Sequence, residues 1–242
     1  MRDAERRGLR LNAFQLKMIA DAAMVVDHIA WAFVSLNTAA GQLAHIIGRL
    51  TAPIMCYFLA EGFYYTKNLK GYLTRLGLFG LISAAAFGYF EWGGVFRFAG
   101  MGMIYTLFLG LTAITVWERT GWPEGVKRGA IFLLCLLSLI GDWPVMGVLW
   151  PWYFARYRGM PDRQFRSFAI VAAADVMFFL LSAWAESPAL WWTQLCQAGV
   201  FLAIPLLRCY DGTLGGKKGM KWFFYFFYPA HLLVLGWLRG VL

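Results

Sequence analysis

Apolar runs long enough to cross a bilayer recur along this chain, separated by short links rich in charge, Gly and Pro. The first occupies residues 16–36, and a polar link follows at 37–42. Further runs occupy 43–66, 72–90, 101–117, 168–184, 190–207 and 222–238. The stretch 130–155 differs, because Gly141-Asp142-Trp143-Pro144 interrupts it with a turn-forming sequence whose proline has no backbone donor. It reads either as one kinked span or as two short ones.

Composition removes the soluble classes. Of the 242 residues, 60% are hydrophobic and only 14% are charged, whereas an average globular domain carries about 25% charge. A water-facing surface cannot be built from this chain, and intrinsic disorder requires much lower hydrophobicity. Cys56, Cys135, Cys196 and Cys209 are far apart and lie in or beside apolar segments, as fillers rather than a disulfide framework. The fold class is therefore all-α, a polytopic helical membrane protein, with residues 1–242 forming a single membrane domain that begins with a basic cytoplasmic arm at 1–13. No cleavable signal peptide is expected, because the first apolar segment carries acids and lacks a small-residue cleavage signature.

A net charge of +9 in a soluble protein would suggest nucleic acid, but here the 22 basic residues report topology first, and no nucleic-acid partner is expected. Basic clusters lie in the N-terminal arm and at the start of the first span (Arg2, Arg6, Arg7, Arg10, Lys17), follow the second (Lys67, Lys70, Arg75) and the fourth (Arg119, Lys127, Arg128), follow the 130–155 stretch (Arg156, Arg158, Arg163, Arg166), and precede the last span (Arg208, Lys217, Lys218, Lys221). Only an even number of crossings between 130 and 155 leaves the Arg156 cluster on the cytoplasmic side. The Gly141–Pro144 sequence is then an outer turn between two short helices, and 19 of the 22 basic residues lie inside. About nine spans follow, two of them short, with the N-terminus cytoplasmic and the C-terminus outside. Each short helix covers only about 21 Å of a hydrocarbon core of about 30 Å, so both need shelter from their neighbours.

Ionisable groups at membrane depth carry the chemistry, because hydrocarbon excludes charge at a cost of at least about 2.5–3.5 kcal/mol. Asp21, Asp27 and His28 lie in the first span, His45, Arg49 and Glu61 in the second, Asp175 in the seventh and His231 in the last. A hairpin turn near residue 39 places Arg49 level with Ala30, within one turn of Asp27 and His28, and Glu61 level with Met18. Lys17 and Glu61 are expected to form a structural ion pair. Asp21 can pair with Lys17 along its own helix, and His45 reads as a helix–helix hydrogen bonder. Asp27, His28 and Arg49 bring three ionisable types to one depth and form the candidate site. An imidazole titrates near neutrality and can act as a base. A guanidinium stays charged and can hold a carboxylate or steady an oxyanion. The same set suits acyl transfer or a proton relay.

The segments Phe14-Gln15-Leu16-Lys17, Asp27-His28-Ile29, Gly48-Arg49-Leu50 with Pro53, and Glu61-Gly62-Phe63 together resemble the TraX family. The resemblance continues through Thr66-Lys67-Asn68, Tyr72-Leu73, Thr106-Leu107-Phe108-Leu109-Gly110 and Gly147-Val148-Leu149 to the closing block Phe223-Phe224-Tyr225-Phe226-Phe227-Tyr228-Pro229-Ala230-His231-Leu232. It covers nearly the whole chain in order. It implies a bacterial inner-membrane enzyme resembling transmembrane acyltransferases, with acetyl-CoA as donor and the N-terminal amine of a conjugative pilin, or another small-molecule or peptide acceptor, as substrate. A membrane-embedded His near an early span is important in such enzymes, which implies His28 as the leading catalytic candidate and His231, inside the closing block, as the next.

On this reading the donor docks from the cytoplasm on Lys67, Lys70, Arg75, Lys217 and Lys218. His28 deprotonates the acceptor or is transiently acetylated, Arg49 steadies negative charge, and Asp27 orients either partner. The Gly215-Gly216-Lys217-Lys218 sequence lacks the Walker spacing and reads as a flexible basic loop. No metal is expected, since His28, His45 and His231 show no ligand spacing. The rival readings are a proton-coupled transporter and a non-catalytic membrane assembly subunit.

Overall fold

A computed structural model describes residues 10–217 and 219–242. They form ten α-helices and two 3-10 helices; among the described residues the only β-type pairings are isolated bridges, Leu11 with Tyr210 and Met101 with Gly141. The α-helices are α1 Ala13–Phe33, α2 Ala39–Gly48, α3 Thr51–Tyr65, α4 Leu69–Glu91, α5 Met103–Arg119, α6 Glu124–Leu137, α7 Met146–Arg156, α8 Pro161–Glu186, α9 Ala203–Arg208 and α10 Met220–Val241. The 3-10 helices are Ser138–Ile140 and Trp191–Leu202. Of the N-terminal arm, residues 1–9 lie outside the described set. Leu11 pairs with Tyr210, and the N–H groups of Ala13 and Phe14 donate to the carbonyls of Thr213 and Leu214.

Local sequence sets the helix starts. Asn12 caps α1 in a reciprocal box with Gln15, Thr38 accepts from the Gly41 N–H at α2, Asn68 does the same for Gly71 at α4, and α8 opens on Pro161. The 43–66 run lies within one helical stretch, Ala39–Tyr65, that is interrupted at Arg49-Leu50, where it divides into α2 and α3 while both junction residues keep right-handed helical backbone. Gly48 lowers helix propensity on one side, and on the other Pro53, in the first turn of α3, cannot donate to the Arg49 carbonyl. The 130–155 stretch divides into α6 and α7 around Gly141–Val145, where Trp143 and Val145 take positive φ values of 58° and 65°. The 190–207 run is a 3-10 helix followed by the short α9 rather than one α-helix.

Three helical stretches among the described residues are long and apolar enough to cross a membrane by length and composition, Ala39–Tyr65, Leu69–Glu91 and Pro161–Glu186, where the sequence pattern predicts about nine. Charge, length and aromatic content account for the difference. α1 carries Lys17, Asp21 and Asp27, α5 has 17 residues, α6 and α7 have 14 and 11, the 190–207 run divides into a 3-10 helix of 12 residues and α9 of 6, and α10 is rich in Tyr and Trp with a cation near each end.

The core runs through α1, α3, α4, α5, α7, α8 and α10, with Trp150, Phe63, Phe90, Phe154 and Phe168 fully buried. α4 packs between α5 and α10, α3 lies against α1, α5 and α7, and the second 3-10 helix packs on α2 and α8. Close approach of α5 to α7 requires Gly110, whose added Cβ would collide with the Gly147 carbonyl. On the outside, α8 exposes Ile170, Met177, Phe178, Leu181 and Trp184, and α6 exposes Phe132, Leu133 and Leu136. Apolar faces of this extent suit lipid, not water.

Candidate functional site

Two polar clusters sit on adjacent faces of α1. In the first, the Asp27 carboxylate accepts from His45 Nδ1 at 2.8 Å and from Arg49 Nη2 at 3.4 Å. His45 lies one turn before Arg49 on α2, so both side chains reach the same oxygen of Asp27. Gly48 lets α2 approach that closely, since a Cβ there would collide with the Asp27 carboxyl. The Arg49 guanidinium also covers the Trp143 ring, 5.2 Å from its centroid, while its Nε has no partner among the described residues. Asp142, beside Trp143 in the outer turn, has its carboxyl pushed up to about 6 by burial, with the Arg49 guanidinium acting in the opposite direction.

In the second cluster, His28 Nδ1 and His231 Nε2 are 3.0 Å apart, and His231 Nδ1 lies 2.9 Å from the Phe227 carbonyl. A carbonyl only accepts, so His231 carries its proton on Nδ1 and, as a neutral ring, accepts at Nε2. That assignment makes His28 Nδ1 the donor and leaves His28 Nε2 with an unshared pair. His28 is 4% exposed, with Phe90, Trp31 and Tyr228 rings at 5.4, 6.1 and 6.4 Å. The expected single constellation of Asp27, His28 and Arg49 is thus divided: consecutive helical residues diverge by about 100°, so Asp27 turns toward α2 while His28 turns toward α10.

A cavity of about 310 Å³ approaches the second cluster. On α1 its wall is Lys17, Asp21 and Met24, and the spacing of four, three and four residues continues that stripe to His28. Thr51, Met55, Phe58, Leu59, Leu76, Ile104 and Leu107 supply mostly apolar walls. Arg75, Lys221 and Lys17 come from the N-terminal parts of α4, α10 and α1, and with Tyr65 and Thr66 at the end of α3 they mark the mouth. At the deep end are Met24, Met103 and Tyr228, and the Tyr228 hydroxyl accepts from the Met103 N–H at 3.1 Å. His28, Arg49 and His231 are not part of the cavity lining; Met24 and Tyr228 stand between His28 and the cavity.

Of the cations assigned to the donor, Arg75 lines the cavity, whereas Lys67, Lys70 and Lys217 do not. Lys218 lies outside the described residues. Lys17 and Lys221 line the mouth instead, a role invisible until α1 and α10 are brought side by side. The expected Lys17–Glu61 pair is replaced. Glu61 accepts from Arg158 Nε at 2.8 Å and Nη2 at 3.1 Å, because its face of α3 looks toward the end of α7. That carboxylate raises the Arg158 guanidinium above its ordinary range. The Lys17 ammonium lies 5.3 and 5.4 Å from the centroids of Phe58 and Phe224. Among the described residues no three His, Cys, Asp or Glu side chains gather as a metal site.

An all-helical, lipid-adapted bundle with histidine and carboxylate clusters buried beside a basic-mouthed cavity defines a membrane-associated protein class. Within it, the family model described as TraX protein matches residues 13–239, and the chain belongs to the TraX family. A curated relative from Dichelobacter nodosus, named probable fimbrial assembly protein FimC, serogroup H1, is 33% identical over 238 residues, covering 95% of this chain and 96% of its own. No solved structure matches the chain.

Proposed function

We propose that this protein is a multi-pass inner-membrane acetyltransferase that moves an acetyl group from acetyl-CoA to an amine or hydroxyl, with the N-terminal amine of a pilus or fimbrial subunit as its acceptor. The observation that carries the reading is the His28–His231 pair, with an unshared pair on His28 Nε2, at the end of the stripe that lines the basic-mouthed cavity. The name of the Dichelobacter nodosus relative supports a pilus-related acceptor. The basic residues at the mouth face the cytoplasm under the positive-inside rule, so the donor enters there. α1, α4 and α10 each begin at that end, which is consistent with a cytoplasmic N-terminus and an external C-terminus.

In this mechanism Lys17, Arg75 and Lys221 hold the donor phosphates, and the acyl arm extends between the apolar walls toward Tyr228 and Met24. Movement of the flexible Met24 side chain brings the thioester to His28. His28 Nε2 accepts a proton from the acceptor amine as its nitrogen attacks the thioester carbonyl. The C–S bond then breaks, and the departing sulfur takes that proton back from His28. His231 holds the His28 ring in the required tautomer and stabilises its protonated form, as a second group orients the base in a triad. Arg49, committed to Asp27 and Trp143, braces the α1–α2 hairpin rather than contacting the reacting carbonyl. The test is purified protein in lipid nanodiscs with labelled acetyl-CoA and an N-terminal pilin peptide. Label transfer that is lost in His28→Ala supports the reading, and a parent protein that neither binds coenzyme A nor transfers acetyl overturns it.

A non-catalytic assembly role is the second reading, favoured by the relative's name and by the slight exposure of His28. It predicts that His28→Ala impairs association with pilus components in a parent protein that shows no acetyl transfer.

A further inference from the structure

Asp21 lies on the cavity stripe but has no place in the mechanism above. It is 2% exposed, lines the cavity, and its buried Oδ2 has no hydrogen-bond partner among the described residues. None of the ion pairs among the described residues includes it. Lys17, one turn away, places its ammonium over Phe58 and Phe224 instead. A carboxylate in such surroundings is destabilising unless something donates to it, and the open side of Asp21 is the cavity.

The order of polar groups along the cavity narrows what that donor is. Three cations, Lys17, Arg75 and Lys221, stand at the mouth. Asp21 is about 6 Å further along α1 than Lys17, and His28 about 10 Å beyond Asp21, at 1.5 Å rise per residue. A cationic ligand would meet three like charges before reaching the carboxylate. A ligand with an anionic head, a neutral N–H donor partway along its chain and a reactive end is complementary at every level. Coenzyme A thioesters have that order: phosphates, then amide N–H groups, then the thioester.

We propose that Asp21 is the binding residue for the amide arm of the donor, accepting an amide N–H and so fixing how far the thioester reaches toward His28. The inference rests on the donor assigned above and adds the residue that reads its arm. Hydrogen bonds to a charged acceptor correspond to about tenfold or more in affinity.

The test compares equilibrium binding of coenzyme A and of adenosine 3′,5′-bisphosphate, which has the head without the arm, to the purified full-length protein. Asp21→Leu is expected to weaken coenzyme A binding about tenfold and leave the bisphosphate unchanged. Asp21→Asn, which keeps a neutral acceptor, is expected to fall between. Both variants are expected to unfold at or above the parent temperature, because the carboxylate has no internal partner. Undiminished coenzyme A binding in Asp21→Leu, equal weakening of both ligands, or a lowered unfolding temperature in both variants would overturn the proposal while leaving the donor assignment standing. A parent protein that binds no coenzyme A overturns both.

Discussion

His231 Nε2 lies 3.0 Å from His28 Nδ1, joining the first and last helices across 203 positions of sequence. Because His231 Nδ1 is committed to the Phe227 carbonyl, the pair has a direction: the proton between the rings belongs to His28, and His28 Nε2 is the free base. On the proposed mechanism, replacing His28 by Ala should lower acetyl transfer by about 10²–10⁴-fold, the usual contribution of a general base. His231→Phe keeps the ring volume but removes the acceptor, so its loss should fall on kcat, with KM for acetyl-CoA little changed. Equal activity of parent and His231→Phe in a labelled-acetate transfer assay would dismiss the pair as a mechanism.

The Asp27 cluster is expected to govern stability rather than rate. Removing the carboxylate strands Arg49, whose side chain is 15% exposed, and leaves His45 Nδ1 without its acceptor. Asp27→Ala should therefore destabilise by about 3 kcal/mol, within the range for breaking one partner of a buried pair. Gly48→Ala should cost about 1–3 kcal/mol by forcing a Cβ into Asp27. The two losses should be less than additive, because either change separates α2 from Asp27. Denaturation of single and double variants in mixed micelles measures this; fully additive losses would show that Gly48 and Asp27 act apart.

What the chain reveals before it is folded follows from how far each contact reaches. Asp27 with Arg49 is legible because a short hairpin fixes the depth register of α1 against the following helix. His45 shares the face of Arg49 one turn away, but the same depth register sets it level with Val34 rather than Asp27, so its hydrogen bond to Asp27 depends on helix tilt and rotation, which depth alone does not give. His28 with His231 and Glu61 with Arg158 depend on the placement of α10 and of the link after α7, and no local pattern encodes either. Gly48 and Pro53 flag the break between α2 and α3, yet the apolar run across them masks it. The 190–207 run reads as a span because hydrophobicity reports burial, whereas the 3-10 geometry of Trp191–Leu202 reflects tertiary fit.

Topology gives an independent check. If the cavity mouth faces the cytoplasm, the C-terminus after α10 lies on the opposite side, where Arg239 reaches the Phe90 and Glu91 carbonyls at the end of α4. A periplasm-active reporter fused after Leu242 should be active, and one fused within the α8 start, near Arg163, should be silent. The reverse pattern would place Lys17, Arg75 and Lys221 on the side that holds no coenzyme A and would remove the proposed donor route.

Asp142 predicts a pH dependence of the fold that is separate from the proposed acetyl transfer. Its carboxyl is pushed from an ordinary 3.8 up to about 6 by burial in the outer turn. Between those values the unfolded chain has released the proton while the folded chain retains it. The folded state therefore binds more protons, and stability falls as pH rises from about 4 to about 6. Below that window the contribution is fully present; above it the loss is complete and constant. For a half-buried residue, the loss should be at most about 2 kcal/mol. Asp142→Asn cannot ionise, so it should match the parent near pH 4 and exceed its unfolding temperature near pH 7, with the difference opening across the window. The Arg49 guanidinium opposes the shift, so adding Arg49→Met to both proteins should widen the difference that Asp142→Asn makes. Parallel unfolding curves for parent and Asp142→Asn from pH 4 to pH 7 would show that the turn leaves this carboxylate solvated, and that the strained Trp143–Val145 backbone, rather than burial of charge, sets the stability of the outer turn.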